Sequence, residues 1–372
     1  MAPWSIYAVL FASTSVILGV IWDISWHRSI GRDTFWTPAH IAIYLGGVVA
    51  GLTSGWVALQ TTFAGTESDR GTAVRFWGFR APLGAWVCIW GAFAMVTSAP
   101  FDDWWHNAYG LDVKIISPPH MLLAAGIAAI QTGAMLMALA WQNRADTAEN
   151  RRHLGRLYLL GAGLLLLLAA TVASEHTQRW DMHGSHFYKV SAGVFLFFLI
   201  SSARASVARW PATTIAAVYT GLTLFMLLLL PLFPAQPLLG PIYVQVDRFM
   251  PPDFPLLLIV PAFALDLLMR RSASSGRTND WLLALLASAV FLAVFVAVQF
   301  PFADFLMTPS ARNFFFISHR IPYSAMPQFQ ARWYQLNPPD DLAVGLSIAL
   351  AIGYASARCG LWWGNWMARV QR

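Results

Sequence analysis

Charge is what this chain has least of. Asp, Glu, Lys and Arg together make up 11% of its 372 residues, where a soluble domain carries about a quarter. So few charged groups cannot cover a water-facing surface of this size, which excludes an ordinary soluble protein. Cysteine is nearly missing too. Cys88 and Cys359 stand alone at opposite ends of the sequence, each in an apolar stretch, which excludes a disulfide framework and a thiolate metal cluster. The 12 Met are scattered without a Met-x-x-Met ladder, so the row of soft thioether steps expected of a Cu(I) carrier is absent.

What is there is apolar. The chain is 57% hydrophobic, with a mean hydropathy of +0.54. A membrane span needs about 20 mostly apolar residues to cross about 30 Å of hydrocarbon. Such stretches lie near 4–22, 38–60, 77–100, 117–141, 155–174, 188–204, 211–232, 254–270, 281–300 and 341–359. They predict an all-α fold, a polytopic integral membrane helix bundle of about ten transmembrane helices arranged as outward-facing hairpins in a lipid bilayer. The first stretch lacks the basic start and small-residue cleavage site of a signal peptide, so it is expected to be retained. No stretch resembles an appended soluble domain.

Basic residues mark the cytoplasmic side of short loops. Of the 24 Lys and Arg, 15 fall in one alternate set of breaks and tails, among them Arg70, Arg144, Arg151, Arg209, Arg271 and Arg369. The other breaks hold the remaining nine, including Arg28, Arg32, Lys114 and Arg179. Both termini are therefore expected in the cytoplasm, in a membrane such as the bacterial inner membrane, with the other breaks facing the periplasm. This bias accounts for the pI near 9.6, and no nucleic-acid partner is inferred from it.

Two outward breaks repeat each other. "WDISWHRSIGRDTFWTPAH" at residues 22–40 and "FDDWWHNAYGLDVKIISPPH" at 101–120 share D-x-x-W-H, then x-x-x-G-x-D, then Thr or Ser, Pro, any residue, His. This is a duplicated helix, loop, helix unit. If each leading helix continues to its exit, Asp23 and His27, like Asp102 and His106, stand one turn apart on one face. Thr37-Pro38 and Ser117-Pro118 then read as helix starts, the first residue an N-cap and the Pro at N1. That places His40 and His120 one turn inside the second helix, facing back toward the hairpin mouth. Asp23, His27 and His40 are expected to converge, as are Asp102, His106 and His120. Ionisable groups at membrane depth are costly and mark function, and a carboxylate with two imidazoles suits Zn, Cu(II), Ni(II) or Fe(II) without choosing among them. Asp33 and Asp112 are expected to accept the free ring N–H of a ligating His. The Trp cluster of Trp22, Trp26, Trp36, Trp104 and Trp105 reads as an interfacial belt that also walls the site. Later outward breaks, "RWDMHGSHFYK", "VQVDRFMPPDFP" and "QLNPPDD", look like degenerate relatives of the same unit.

The residues of the first motif resemble the C subunit of the copper membrane monooxygenases, the particulate methane and ammonia monooxygenases. In that family D-x3-H-x12-H, followed through R-D-T-x-x-T-P-x-H, defines a copper site, and here Asp23, His27 and His40 fall on its ligands, with Arg32, Asp33, Thr34, Thr37 and Pro38 on the surrounding motif. The family's second site, N-x3-H-x13-H, is matched by Asp102, His106 and His120 with Asp in place of Asn. The resemblance covers about the first 140 residues. It implies a copper-dependent oxygenase component that activates O2 for oxidation of a small substrate, an electron donor, and further monooxygenase-type subunits or a homo-oligomer such as a trimer. The chain lacks the cupredoxin-like domain of the family's B subunit. Residues 1–142 form the resembling, duplicated unit, and residues 143–372 add spans of unassigned role with a long outward loop at about 301–340.

A weaker third cluster lies in "SEHTQRWDMHGSHFY", where Asp181, His183 and His186 are the candidate ligands and a row of headgroup-level polar residues is the alternative. The loop carrying Tyr323, Trp333 and Tyr334 is expected to be an ordered surface segment. Two functions stay open on the sequence: a copper-dependent oxygenase, with Asp102, His106 and His120 or else the first site performing the chemistry, and a membrane copper transport, storage or assembly protein using the same ligands. Nitrogen and oxygen donors favour the first reading over a carrier of Cu(I). The ligand set alone would equally accept zinc or iron.

Overall fold

A computed structural model of the protein describes residues 3–110, 117–274 and 279–371. Twelve α-helices account for most of them: α1 Trp4–Ser29, α2 Pro38–Phe63, α3 Glu67–Gly71, α4 Leu83–Tyr109, α5 Pro118–Arg144, α6 Ala148–Ala173, α7 Ser185–Ala205, α8 Pro211–Leu229, α9 Ile259–Ser274, α10 Asp280–Met307, α11 Pro327–Arg332 and α12 Leu342–Met367. Among the described residues nine of these, α1, α2, α4, α5, α6, α7, α8, α10 and α12, are long and apolar enough to cross a membrane. The chain is an integral membrane protein.

The expected span at 254–270 is the one that falls short. Pro251, Pro252 and Pro255 withhold backbone donors and keep residues 251–257 out of a helix, so α9 begins only at Ile259 and its 16 residues reach about 24 Å. The expected span at 77–100 starts later and ends later. Its beginning folds into a two-stranded antiparallel ribbon, β1 Val74–Phe76 and β2 Phe79–Ala81. Positive φ at both Trp77 and Gly78 makes the tight turn whose twist suits a hairpin. Helix α4 then runs past Pro100 to Tyr109, and α1 likewise continues beyond residue 22 to Ser29. Both extensions carry an Asp and a His out of the apolar stretch while still helical.

Several helix starts carry a side-chain cap. The hydroxyl of Ser117 accepts from the His120 N–H at 3.4 Å, that of Thr147 accepts from Asn150 at 3.2 Å, and the carboxylate of Asp341 accepts from Val344 at 3.2 Å. Thr37 does not cap in this way. It occupies the N-cap of α2 but makes no side-chain cap bond, and its hydroxyl is buried without a partner, leaving Pro38 to define that start.

Helix α1 packs on α2 and α4 on α5, α8 lies against α9 and α10 against α9 and α12, while α7 packs chiefly on α12 instead of its chain neighbour α6. The α4/α5 contact is close because glycines face glycines. A Cβ at Gly91 would stand 2.7 Å from the Gly126 carbonyl oxygen, and one at Gly84 would stand 2.5 Å from that of Gly133. Small residues of this kind let helix backbones approach within a membrane, where no hydrophobic force draws helices together.

Contacts sort the helix ends into two groups. At one end Tyr7 bonds His153 at 2.6 Å and Asn143 donates to the Val370 carbonyl at 2.8 Å. At the other end lie the two duplicated hairpins, and the long connections at 233–258 and 308–341 dock beside the first of them. Leu238 N–H donates to the Ile30 carbonyl at 2.9 Å, Tyr323 N–H to that of Arg28 at 3.3 Å and Asn337 N–H to that of Trp180 at 2.8 Å. The 308–341 connection is ordered by its own anchors, since Tyr323 and Trp333 are buried.

Candidate metal centres

The duplication seen in the sequence is present in space. In each hairpin the first helix ends at a glycine with positive φ, Gly31 at 85° and Gly110 at 89°, a conformation that costs glycine little and turns the chain sharply. Ile30 N–H returns to the Trp26 carbonyl at 2.7 Å and Gly110 N–H to that of His106 at 2.9 Å. The turn then delivers the second helix, and its third residue is His40 or His120.

In the first hairpin four side chains meet. His40 Nε2 lies 3.2 Å from Asp23 Oδ1 and 3.4 Å from Asp33 Oδ2. His27 Nε2 lies 3.8 Å from Asp23 Oδ2 and 3.5 Å from Asp33 Oδ2. Ligand atoms of Asp23, Asp33 and His40 all fall within 4.8 Å of one another, and the half-exposed His27 closes the set from the solvent side. Asp33, expected to support a ligand from behind, therefore stands among the ligand atoms themselves. The second hairpin places His106 Nε2 3.3 Å from Asp102 Oδ2 and His120 Nε2 3.5 Å from Asp102 Oδ1, again with all three ligand atoms within 4.8 Å. Asp112 lies outside the described residues.

Hydrogen bonds on the far side of the rings fix which nitrogen faces the carboxylates. His40 Nδ1 is 3.0 Å from the Thr34 carbonyl oxygen, and His106 Nδ1 is 3.3 Å from that of Gly110. A carbonyl only accepts, so each Nδ1 carries the proton and donates it. In the neutral ring Nε2 is then a lone pair, and a lone pair facing carboxylate oxygens is repulsive unless a cation or a second proton lies between them. Among the described residues, Asp23 Oδ1 and Asp102 Oδ1 are buried and meet only these imidazole nitrogens, and His120 Nδ1 is buried without a hydrogen-bond partner. The spacing suits a metal ion: two ligands each about 2.0–2.1 Å from a tetrahedral ion stand about 3.4 Å apart, close to the separations across both clusters. The donor set and its spacing thus fit a divalent metal held by Asp23, Asp33, His40 and His27, and by Asp102, His106 and His120.

Asp33 sits in the loop beyond the helix end, and the hydrogen bond from His27 holds its carboxyl below the usual carboxylate range, outweighing the opposing effect of burial. Around the first cluster Trp26 Nε1 donates to the Arg32 carbonyl at 3.0 Å, and Phe35 packs on Tyr44 at 5.0 Å between ring centroids. Tyr44, one turn beyond His40, lies 6.0 Å from that ring and within electrostatic reach of Asp23, Asp33 and Asp102. Its nearness to the His40 ring is a placement that the i+4 spacing could have suggested.

The third group divides: its three side chains take different nearest partners, although Asp181 stays within electrostatic reach of His186 and His176. His183 turns toward α10, where its ring stacks on Phe300 at 3.9 Å and pairs with Asp304 at 3.2 Å. His186 instead meets His176, Nε2 to Nδ1 at 3.4 Å. Asp181 accepts from Asn337 at 2.7 Å, and burial pushes its carboxyl up despite that bond. The short helical turn at Arg179–Asp181 and the new helix start at Ser185 send His183 and His186 to different neighbours.

No protein-family model, curated protein or solved structure matches this chain.

Proposed function

We propose that this chain is a copper-binding integral membrane protein and the metal-bearing component of a copper-dependent membrane monooxygenase. The observation that carries the metal reading is the meeting of carboxylate oxygens with imidazole nitrogens in two hairpins, with the lone pair of one imidazole in each, His40 and His106, oriented by a backbone carbonyl behind its ring. The choice of copper over zinc or iron, and of oxygenase chemistry, rests on the motif of residues 22–40 and its resemblance to the C subunit of the particulate methane and ammonia monooxygenases. That is an argument by analogy.

When bound, copper would supply activation of O2 for oxidation of a small substrate. The chain's own residues hold and orient. Thr34 and Gly110 carbonyls lock His40 and His106 in the ligating tautomer, and Asp102, standing where the family pattern has Asn, adds a negative charge that favours a divalent ion. Asp102, His106 and His120 are our choice for the catalytic centre, since the neighbouring connections dock at the first hairpin and leave the second uncovered by them. Turnover would draw on an external electron donor and on further subunits or copies of this chain. The basic-residue bias supports an orientation with both termini in the cytoplasm and both centres at the periplasmic side of a bacterial inner membrane.

The test is incorporation of label from 18O2 into small alkane, alkene and ammonia substrates by copper-loaded protein in lipid nanodiscs with a quinol or dithionite reductant. Labelled product that disappears in His106→Ala/His120→Ala supports the oxygenase. Tight copper binding at both centres with no labelled product across reductants and substrates favours a copper-handling protein.

A further inference from the structure

A second built site lies on the other side of α1, in a cavity of about 100 Å³. It is formed by segments far apart in sequence: α1 around Ile21 to Arg28, the end of α6, α8 at Tyr219 and Thr223, and residues 250–256 of the long connection. Most of its wall is aliphatic or aromatic, as with Ile24, Leu167, Leu256 and Leu306, yet two guanidinium groups, Arg28 and Arg179, and one carboxylate, Asp253, also line it.

Arg179 is the anomaly. It is 5% exposed, lies over the Trp333 ring at 4.4 Å and reaches Asp253 through Nη2 at 3.4 Å, while its Nη1 is buried with no hydrogen-bond partner. Arg28 has no ion-pair partner among the described residues. Two positive charges against one negative leave a surplus of one along a mostly apolar wall; Arg28 is only half-buried, so the costly part is the unpaired Nη1 of the buried Arg179, because a buried charge is costly unless paired. Tyr219 adds a further donor, because its oxygen accepts from Leu256 N–H at 3.0 Å and its own O–H is left to give.

We propose that this cavity binds a small aliphatic carboxylate, its carboxyl on Arg179 and Arg28 and its tail against the wall of Ile24, Leu167 and Leu306. The charge count selects a monoanion, since a dianion such as phosphate would reverse the surplus instead of cancelling it. A guanidinium offers a planar pair of donors that matches a carboxylate. Size selects a short tail: an apolar cavity of about 150 Å³ holds benzene, so this one takes a ligand of about four to six heavy atoms, the range from acetate to butyrate. The site is independent of the metal centres, although α1 forms a wall of both.

The experiment is calorimetric titration of detergent-purified, full-length, metal-free protein with acetate, butyrate and octanoate, with n-butanol and inorganic phosphate as controls. Binding should be saturable and strengthen about fourfold per added methylene up to butyrate. It should fall away at octanoate and be undetectable for butanol and phosphate. Arg28→Gln should weaken butyrate about tenfold or more, the loss expected for one charge-assisted hydrogen bond. Arg179→Gln removes the packing on Trp333 as well, so Ile24→Phe is the second variant: it keeps both guanidiniums, fills the tail wall, and should weaken butyrate while sparing acetate. No saturable carboxylate binding, or binding indifferent to Arg28→Gln, overturns the proposal. Affinity that keeps rising to octanoate overturns the size argument and assigns the carboxyl to a membrane fatty acid. Copper stoichiometry measured on the same preparations reports on the metal reading separately.

Discussion

Replacing Asp33 with Asn tests the geometry of the first centre where sequence and structure differ most. The substitution keeps the shape of the side chain and removes its charge. In the structure Asp33 Oδ2 stands 3.4 Å from His40 Nε2 and 3.5 Å from His27 Nε2, so it contributes one of the two negative charges around any ion held there. Loss of a group that merely supports a ligand lowers metal affinity about 10–100-fold, or about 1.4–2.7 kcal/mol, so loss of one among the ligand atoms should cost at least that. The apo protein should lose less, because Asp33 is 31% exposed and water screens its bond to His27, leaving under about 1 kcal/mol. The sign of that smaller effect follows from the lowered Asp33 carboxyl. The stabilisation is present above the ordinary carboxylate range and is lost as pH falls through the depressed value, so Asp33→Asn should matter at neutral pH and cease to matter in strong acid. Competition titration of copper against a chelator, with electron paramagnetic resonance to separate the two centres, provides the assay. Weakening confined to the first centre is expected. Unchanged affinity would refute the placement of Asp33 among the ligand atoms, and equal weakening of both centres would refute their independence.

Three further outcomes are expected. Gly91→Ala puts a methyl 2.7 Å from the Gly126 carbonyl oxygen. It should destabilise the α4/α5 hairpin by about 1–3 kcal/mol in thermal unfolding and weaken metal at Asp102, His106 and His120, leaving the first centre alone. Copper affinity should fall as pH falls, because each ligating imidazole must be neutral and protons compete with the metal for its nitrogen; pH-independent affinity between 5 and 7.5 would count against imidazole ligation. His183→Ala should leave metal stoichiometry unchanged, since that ring is engaged with Phe300 and Asp304, and a lost ion would restore it as a ligand.

The sequence disclosed what depends on local spacing. The i, i+4 pairs Asp23/His27 and Asp102/His106, the Ser117-Pro118 start and the hairpin glycines all follow from helical periodicity and capping chemistry, and they suffice to bring each carboxylate to its imidazoles. What depends on tertiary docking was hidden. Asp33 joins the first cluster only because the turn after Gly31 carries the loop back over the helix end. His183 parts from His186 because Phe300 and Asp304 of α10 lie next to it. The shortness of α9 was written in Pro251, Pro252 and Pro255, but an apolar count over 254–270 passes over backbone donors. The cavity beside α1 draws Arg28, Arg179 and Asp253 from three distant segments, and no local pattern in any of them announces the others.

The central claim is that two hairpins each hold one copper ion, and metal content by mass spectrometry with electron paramagnetic resonance tests it most directly. Copper-loaded wild type should be compared with His27→Ala/His40→Ala and with His106→Ala/His120→Ala. The account predicts two ions per chain in the wild type, one fewer in each double variant, and loss of a distinct type 2 Cu(II) signal each time. Copper-free protein after loading, or stoichiometry indifferent to both variants, would contradict it.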